Sequence, residues 1–162
     1  MRNDRQNPPA ILFLCLGNIC RSPLAEGAAR AAFAEAGIAA TLDSAGTGDW
    51  HVGRPPDRRA LAEARRRGVD ISDLRARQLA PADFTRFDLI LAADGENLRE
   101  ARALAPADAT AQVMLMLDLV PGRAGDSVTD PYFGEDDGFA ETWDDVSAVA
   151  AALVADAAGS SG

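Results

Sequence analysis

Residues 10–26 read AILFLCLGNICRSPLAE, an apolar run followed by a two-cysteine loop and the start of a helix. The run 10–14 is typical of a buried strand, and Ser22 followed by Pro23 predicts a helix with Ser22 as its N-cap. Along the rest of the chain, short apolar runs alternate with helical patterns, which predicts a parallel sheet covered by helices. Ligands of such sheets bind at the carboxyl ends of the strands, where this loop falls.

The same patterns predict the element boundaries and the domain organisation. Strands are expected at 10–14, 40–43, 88–93 and 112–117, and helices at 22–36, 57–67, 96–104 and from about 139 onward. The first helix should end at Gly37, because glycine is the usual residue at a helix C-terminus. We expect a disordered leader at 1–9, one domain at 10–158 and a flexible tail at 159–162.

Composition excludes several classes of protein. The chain has 162 residues, a net charge of −9, two cysteines and one histidine, His51. A nucleic-acid-binding protein would carry a basic surplus, and a four-ligand zinc site needs more cysteine or histidine. No apolar stretch approaches the ~20 residues of a membrane span, and the polar leader does not resemble a secretory signal. We therefore expect a cytoplasmic monomer without metal or cofactor.

The loop after the first strand has the residue types of a phosphate-binding thiolate site. A loop between a strand and a helix N-terminus points backbone N–H groups at one spot, which suits an anion. Asn18 tolerates the left-handed backbone that such a cradle needs, and Arg21 offers a planar fork for two phosphate oxygens. Cys15 at the base of this positive field is expected as a thiolate able to attack phosphorus. The opposing interpretation, a structural Cys15 and a surface Arg21, fits the strand–loop–helix context poorly.

At every position, residues 15–23 (CLGNICRSP) resemble the phosphate loop of the low-molecular-weight protein tyrosine phosphatases. The resemblance covers about residues 10–154 and includes DSAGT at 43–47, WH at 50–51, ARQ at 76–78 and DPY at 130–132. It implies an α/β three-layer sandwich of flavodoxin-like type, with a four-stranded parallel sheet and helices on both faces. It also implies hydrolysis of phosphotyrosine through a phosphocysteine, with phosphate held by Leu16, Gly17, Asn18, Ile19, Cys20, Arg21 and Ser22.

A leaving alkoxide or phenoxide needs a proton, so the reaction requires a general acid. His51 is one candidate, but Asp130 is the better one, since it follows the fourth strand at the same edge as Cys15. The resemblance assigns the acid role to Asp130. Asp94 either lines the site or caps the next helix.

The resemblance implies further roles around the loop. Ser22 would donate a hydrogen bond to the sulfur, and Asn18, Ser22 and Ser44 would brace the loop. Trp50 and Tyr132 would wall the substrate pocket. Cys20 would form a reversible disulfide with Cys15, or else be a small buried thiol packed under the loop.

Three other functions stay open at this point. Some relatives remove phosphate from arginine and carry Thr where this chain has Ile19, so Ile19 favours phosphotyrosine. A non-catalytic phosphate-binding module would need neither Cys15 nor Asp130. A thiol redox sensor would use only the Cys15–Cys20 pair. The partners expected are tyrosine-phosphorylated proteins, with a tyrosine kinase as one candidate.

Overall fold

The computed structural model describes residues 8–132, 134 and 138–161, and residues 1–7 of the leader expected at 1–9 lie outside this range. The strands are β1 (Ala10–Cys15), β2 (Thr41–Gly46), β3 (Leu89–Ala92) and β4 (Gln112–Leu115). The helices are α1 (Arg21–Ala36), α2 (Arg58–Arg66), α3 (Asp83–Arg86), α4 (Gly95–Leu104) and α5 (Gly138–Ser161). None of the helices in these ranges has the length and apolar character that crossing a membrane requires.

The four strands form one parallel sheet in the order β2-β1-β3-β4. Successive residues of β1 point to opposite faces, so this strand contributes to two apolar cores. Ile11 and Phe13 pack on one face with residues of α1, α2 and α5. Leu12 and Leu14 pack on the other face with residues of α3 and α4, Phe84 among them. The predicted parallel sheet with helices on both faces is therefore confirmed.

Chain order and strand order together place the site. After β1 the chain passes to β2 on one side of the sheet and then crosses to β3 on the other side. The carboxyl end of β1 is therefore a topological switch point, where a crevice opens between diverging connections. Cys15 is the last residue of β1 and lies at this point.

One predicted helix end and one predicted buried helix face are correct. Gly37 caps α1 in the left-handed conformation, with φ of 71°. The apolar stripe of α5 is buried as its spacing of three and four residues predicts. That stripe consists of Phe139, Trp143, Val146, Val149, Ala150 and Leu153.

Other boundaries differ from the prediction for local reasons. Ser22 is not the N-cap, because α1 begins at Arg21 and Cys20 occupies the cap position without a side-chain cap bond. β4 ends at Leu115 instead of 117, because Asp118 accepts a hydrogen bond from the Leu115 N–H and a 3₁₀ turn follows. α5 continues to Ser161 and so includes residues 159–161, and Gly162 lies outside the described range. The flexible tail expected at 159–162 stays a prediction.

Candidate active site

The loop between β1 and α1 is held in a conformation that depends on Asn18. Asn18 has φ of 57° and is the one non-glycine residue with positive φ in the part of the chain described. Asparagine accepts this left-handed conformation at lower cost than other side chains, as predicted. Gly46 at the end of β2 lies against the loop, since a Cβ there would come within 2.8 Å of the Leu16 carbonyl oxygen.

Several carbonyl groups of the loop are bonded to backbone N–H groups elsewhere in the chain. Three of them accept hydrogen bonds from N–H groups outside the loop. The Cys15 carbonyl accepts from the Thr47 N–H (2.9 Å), the Leu16 carbonyl from the Gly48 N–H (2.9 Å) and the Ile19 carbonyl from the Asp57 N–H (2.8 Å). A planar trans peptide points its N–H opposite to its carbonyl. The N–H groups of Leu16, Gly17 and Cys20 therefore point to the other side, away from these partners, where an anion can bind them.

The sulfur of Cys15 is buried and in contact with two polar groups. Its Sγ lies 3.0 Å from Ser22 Oγ and accepts from the Asn18 N–H at 3.3 Å. The Asn18 amide donates to Ser22 Oγ (2.8 Å) and to Ser44 Oγ (3.0 Å). Because Ser22 Oγ already accepts from Asn18, its own proton is available to the sulfur. The structure thus brings together the three predicted supporting residues Asn18, Ser22 and Ser44.

Two members of this network were not predicted. Ser44 Oγ donates to Glu26 Oε1 at 2.8 Å, and the Arg77 N–H donates to Asn18 Oδ1 at 3.0 Å. Glu26 is only 1% exposed; burial raises its pKa, and the bonds from Ser44 and Arg30 offset this only in part. A signal was available, since Glu26 follows Ser22 by one helical turn and so shares its face of α1.

Arg21 connects the loop to two acidic side chains. It is 3% exposed, and its Nη1 donates to Asp94 Oδ2 (2.8 Å) and to the Val128 carbonyl (3.0 Å). Its Nη2 lies 3.6 Å from Asp130 Oδ2. Burial alone would lower the pKa of Arg21, but the nearby Cys15, Asp94 and Asp130 raise it above its ordinary value. The guanidinium is therefore a fixed positive charge beside the sulfur.

Asp94 has both of the functions that were left open. Its Oδ1 accepts from the Asn97 N–H at 2.8 Å and so caps α4, while its Oδ2 pairs with Arg21. One carboxylate therefore ties the start of α4 to Arg21, at the end of the β1–α1 loop.

Asp130 reaches the loop from a segment far along the chain. Its side chain is 37% exposed, and its Oδ1 accepts from the Tyr132 N–H at 3.0 Å. The ring of Tyr132 lies 6.5 Å from that of His51, which in turn packs over Gly17. Trp50 is 70% exposed, and its ring lies over Gly48. Tyr132 thus lies beside the predicted acid, and Trp50 lies on the loop after β2.

The two cysteines have different environments. Both are free and buried. Burial, together with the nearby carboxylate of Asp57, the Cys15 sulfur and Asp130, raises the pKa of the Cys20 thiol well above its ordinary range. Cys20 is therefore a thiol and not a thiolate at neutral pH, which leaves Cys15 as the candidate to attack phosphorus.

Comparison with known proteins identifies the family. The profile of the family described as "Low molecular weight phosphotyrosine protein phosphatase" matches residues 10–159. A low molecular weight phosphotyrosine protein phosphatase of Schizosaccharomyces pombe is 43% identical over 136 residues, which cover 82% of this chain and 86% of that protein. The crystal structure of YfkJ from Bacillus subtilis is similar with a TM-score of 0.88 at 35% identity, covering 96% of this chain and 98% of that one. The Drosophila arginine phosphatase DARP is similar with a TM-score of 0.85 at 26% identity, covering 91% and 96%. The chain therefore belongs to the low molecular weight phosphotyrosine protein phosphatase family.

Proposed function

We propose that the protein hydrolyses phosphotyrosine in proteins through a phosphocysteine on Cys15. One observation carries the proposal: Arg21, in the loop that surrounds the Cys15 sulfur, also lies 3.6 Å from the Asp130 carboxylate. Nucleophile, anion-binding guanidinium and candidate acid therefore belong to one site. A non-catalytic phosphate-binding protein would need the guanidinium but neither the sulfur nor the acid.

The first step forms the S–P bond and breaks the P–O bond of the ester. The Cys15 thiolate attacks phosphorus, and Asp130 gives its proton to the leaving phenolate oxygen. Arg21 and the N–H groups of residues 16–21 hold the remaining phosphoryl oxygens, whose charge they stabilise as it develops. Because these donors are already in place, little reorganisation accompanies the reaction.

The second step returns the enzyme to its starting state. Asp130, now ionised, takes a proton from water, the water oxygen attacks phosphorus, and the S–P bond breaks to release phosphate. Ser22 donates a hydrogen bond to the departing sulfur and so stabilises the thiolate. Asn18 and Ser44 keep the Ser22 hydroxyl in this orientation.

The proposed substrates are tyrosine-phosphorylated proteins, among which a tyrosine kinase is one candidate partner. Trp50 and Tyr132 provide flat apolar faces that suit an aromatic ester. Similarity to DARP, an arginine phosphatase, supports phosphoarginine as the second candidate substrate. Ile19, at the position where the arginine-specific relatives carry Thr, favours phosphotyrosine. We propose that the protein acts as a monomer in the cytoplasm.

Phosphate release from matched phosphotyrosine, phosphoserine and phosphoarginine peptides tests the proposal. We expect release from phosphotyrosine alone, abolished in Cys15→Ser and retained in Cys20→Ser. Dominant release from phosphoarginine would keep the mechanism and change the substrate. No release from any peptide by the folded, reduced protein would refute the proposal and favour a binding module or a redox sensor.

We further propose that Cys20 protects Cys15 from irreversible oxidation. Peroxide would convert the Cys15 thiolate to a sulfenic acid; the Cys20 sulfur would then attack it, forming the S–S bond and releasing water. Peroxide-inactivated protein should recover activity with dithiothreitol, whereas Cys20→Ser should not recover after the same treatment. Equal recovery of both proteins would show that Cys20 has no such role.

A further inference from the structure

The first turn of α2 is bonded to the phosphate loop. Asp57, the N-cap of α2, donates its N–H to the Ile19 carbonyl at 2.8 Å. The Asp57 carboxylate accepts from three nitrogens of Arg59, the backbone N–H (2.8 Å), Nε (3.1 Å) and Nη2 (3.2 Å). Arg59 is therefore held in one orientation by the residue that braces the phosphate loop.

The same guanidinium contacts the segment that carries the candidate acid. Arg59 Nη2 donates to the Tyr132 carbonyl at 2.9 Å. Its Cζ lies 5.6 Å from the centre of the Tyr132 ring and 4.8 Å from that of Phe139, a fully buried residue of α5. Cation–π contacts of this kind add to the hydrogen bonds.

The contact continues from Tyr132 to the acid itself. The N–H of Tyr132 donates to Asp130 Oδ1 at 3.0 Å, so Tyr132 is bonded to Arg59 through its carbonyl and to Asp130 through its N–H. Asp130 is more than one third exposed, and Arg21 Nη2 lies 3.6 Å from its Oδ2. A general acid must stay within hydrogen-bond reach of the leaving oxygen, and a displacement of about 1 Å can cost ~100-fold in rate.

We propose that Arg59 is a positioning residue for the general acid. It joins the phosphate loop, through Asp57, to the Asp130 segment, through Tyr132, and so sets the distance between nucleophile and acid. The inference rests on the proposed function, because it assumes that Asp130 protonates the leaving group.

The test uses the leaving group as the reporter. Phenol, with a pKa near that of tyrosine (about 10), leaves only with a proton, whereas 2,4-dinitrophenol leaves readily as its anion. We would measure kcat/KM for phenyl phosphate and 2,4-dinitrophenyl phosphate with wild-type, Arg59→Met and Arg59→Lys proteins. Methionine keeps an apolar side chain over Phe139. Lysine keeps the positive charge but not the planar set of N–H donors of the guanidinium group. Arg65→Met, an exposed arginine of the same helix, is the matched control.

We expect Arg59→Met to lower kcat/KM about tenfold for phenyl phosphate and less than about twofold for the dinitrophenyl ester. Arg59→Lys should lie between Arg59→Met and wild type, and Arg65→Met should equal wild type. In an Asp130→Asn background, Arg59→Met should cause no further loss on phenyl phosphate, because an acid that is absent cannot be displaced.

Three results would overturn the inference while the proposed function stands. They are an equal loss on both esters, a further loss in the Asp130→Asn background, or no loss in a folded Arg59→Met or Arg59→Lys protein. If wild type hydrolyses neither ester, the proposed function itself fails, and the inference fails with it. Thermal unfolding of each variant separates these results from a loss of folded protein.

Discussion

Replacing Asn18 with alanine should be among the most destabilising changes in the loop. The side chain makes three hydrogen bonds, to Ser22, Ser44 and the Arg77 N–H, at 2.8–3.0 Å. At about 1 kcal/mol each these contribute ~3 kcal/mol, and alanine at φ of 57° adds about 1 kcal/mol of backbone strain. We therefore expect Asn18→Ala to lower the free energy of unfolding by about 4 kcal/mol.

A double-mutant cycle isolates the central bond of this network. Ser44→Ala removes the bonds to Asn18 and to Glu26 and should cost about 2 kcal/mol. The Asn18–Ser44 bond is lost in both single variants, so the double variant should be about 1 kcal/mol more stable than the sum predicts. Urea unfolding measures the free energy of unfolding of each variant, provided that the m-value is unchanged. Ser72→Ala, on an exposed turn, serves as control. Strict additivity, or a cost below about 1 kcal/mol for Asn18→Ala, would refute the reasoning.

Two further predictions concern burial and close packing. Because the folded-state pKa of Glu26 is raised, its ionisation costs stability, which is fully present below the ordinary glutamate value of 4.5 and is lost as pH rises through the folded-state pKa. Glu26→Gln should therefore equal wild type in stability near pH 4 and become the more stable protein as pH rises through the folded-state pKa. A difference between the two urea midpoints that stays constant across pH would contradict this. Gly46→Ala should lower kcat/KM at least about tenfold, because the new Cβ would lie only 2.8 Å from the Leu16 carbonyl oxygen and would displace it. Gly159→Ala, with open space around the new Cβ, should leave kcat/KM unchanged. Equal activity of the two alanine variants would show that the loop tolerates the displacement.

Sequence patterns correctly predicted the structures that depend on neighbouring residues. The apolar run of β1, the glycine stop of α1 and the buried stripe of α5 follow from local backbone preferences and periodicity. The N-cap assignment of Ser22 was wrong because the hydrogen bonds of this residue depend on tertiary structure and not on its neighbours in the chain. Its hydroxyl is taken by the sulfur and by Asn18, two groups whose positions depend on the folded loop.

By itself, the sequence was sufficient to predict the sheet and the loop between its first strand and the first helix, because strand, loop and helix are adjacent in the chain. The family resemblance predicted that Ser44 and Asp130 act at that loop, but only the tertiary structure decided which atoms the distant side chains contact there. Strand order brings Ser44, Asp94 and Asp130 to the end of β1. Glu26 and Arg59 acquire their partners in the same way, since a side-chain hydrogen bond requires a distance of about 3 Å that no spacing along the chain specifies.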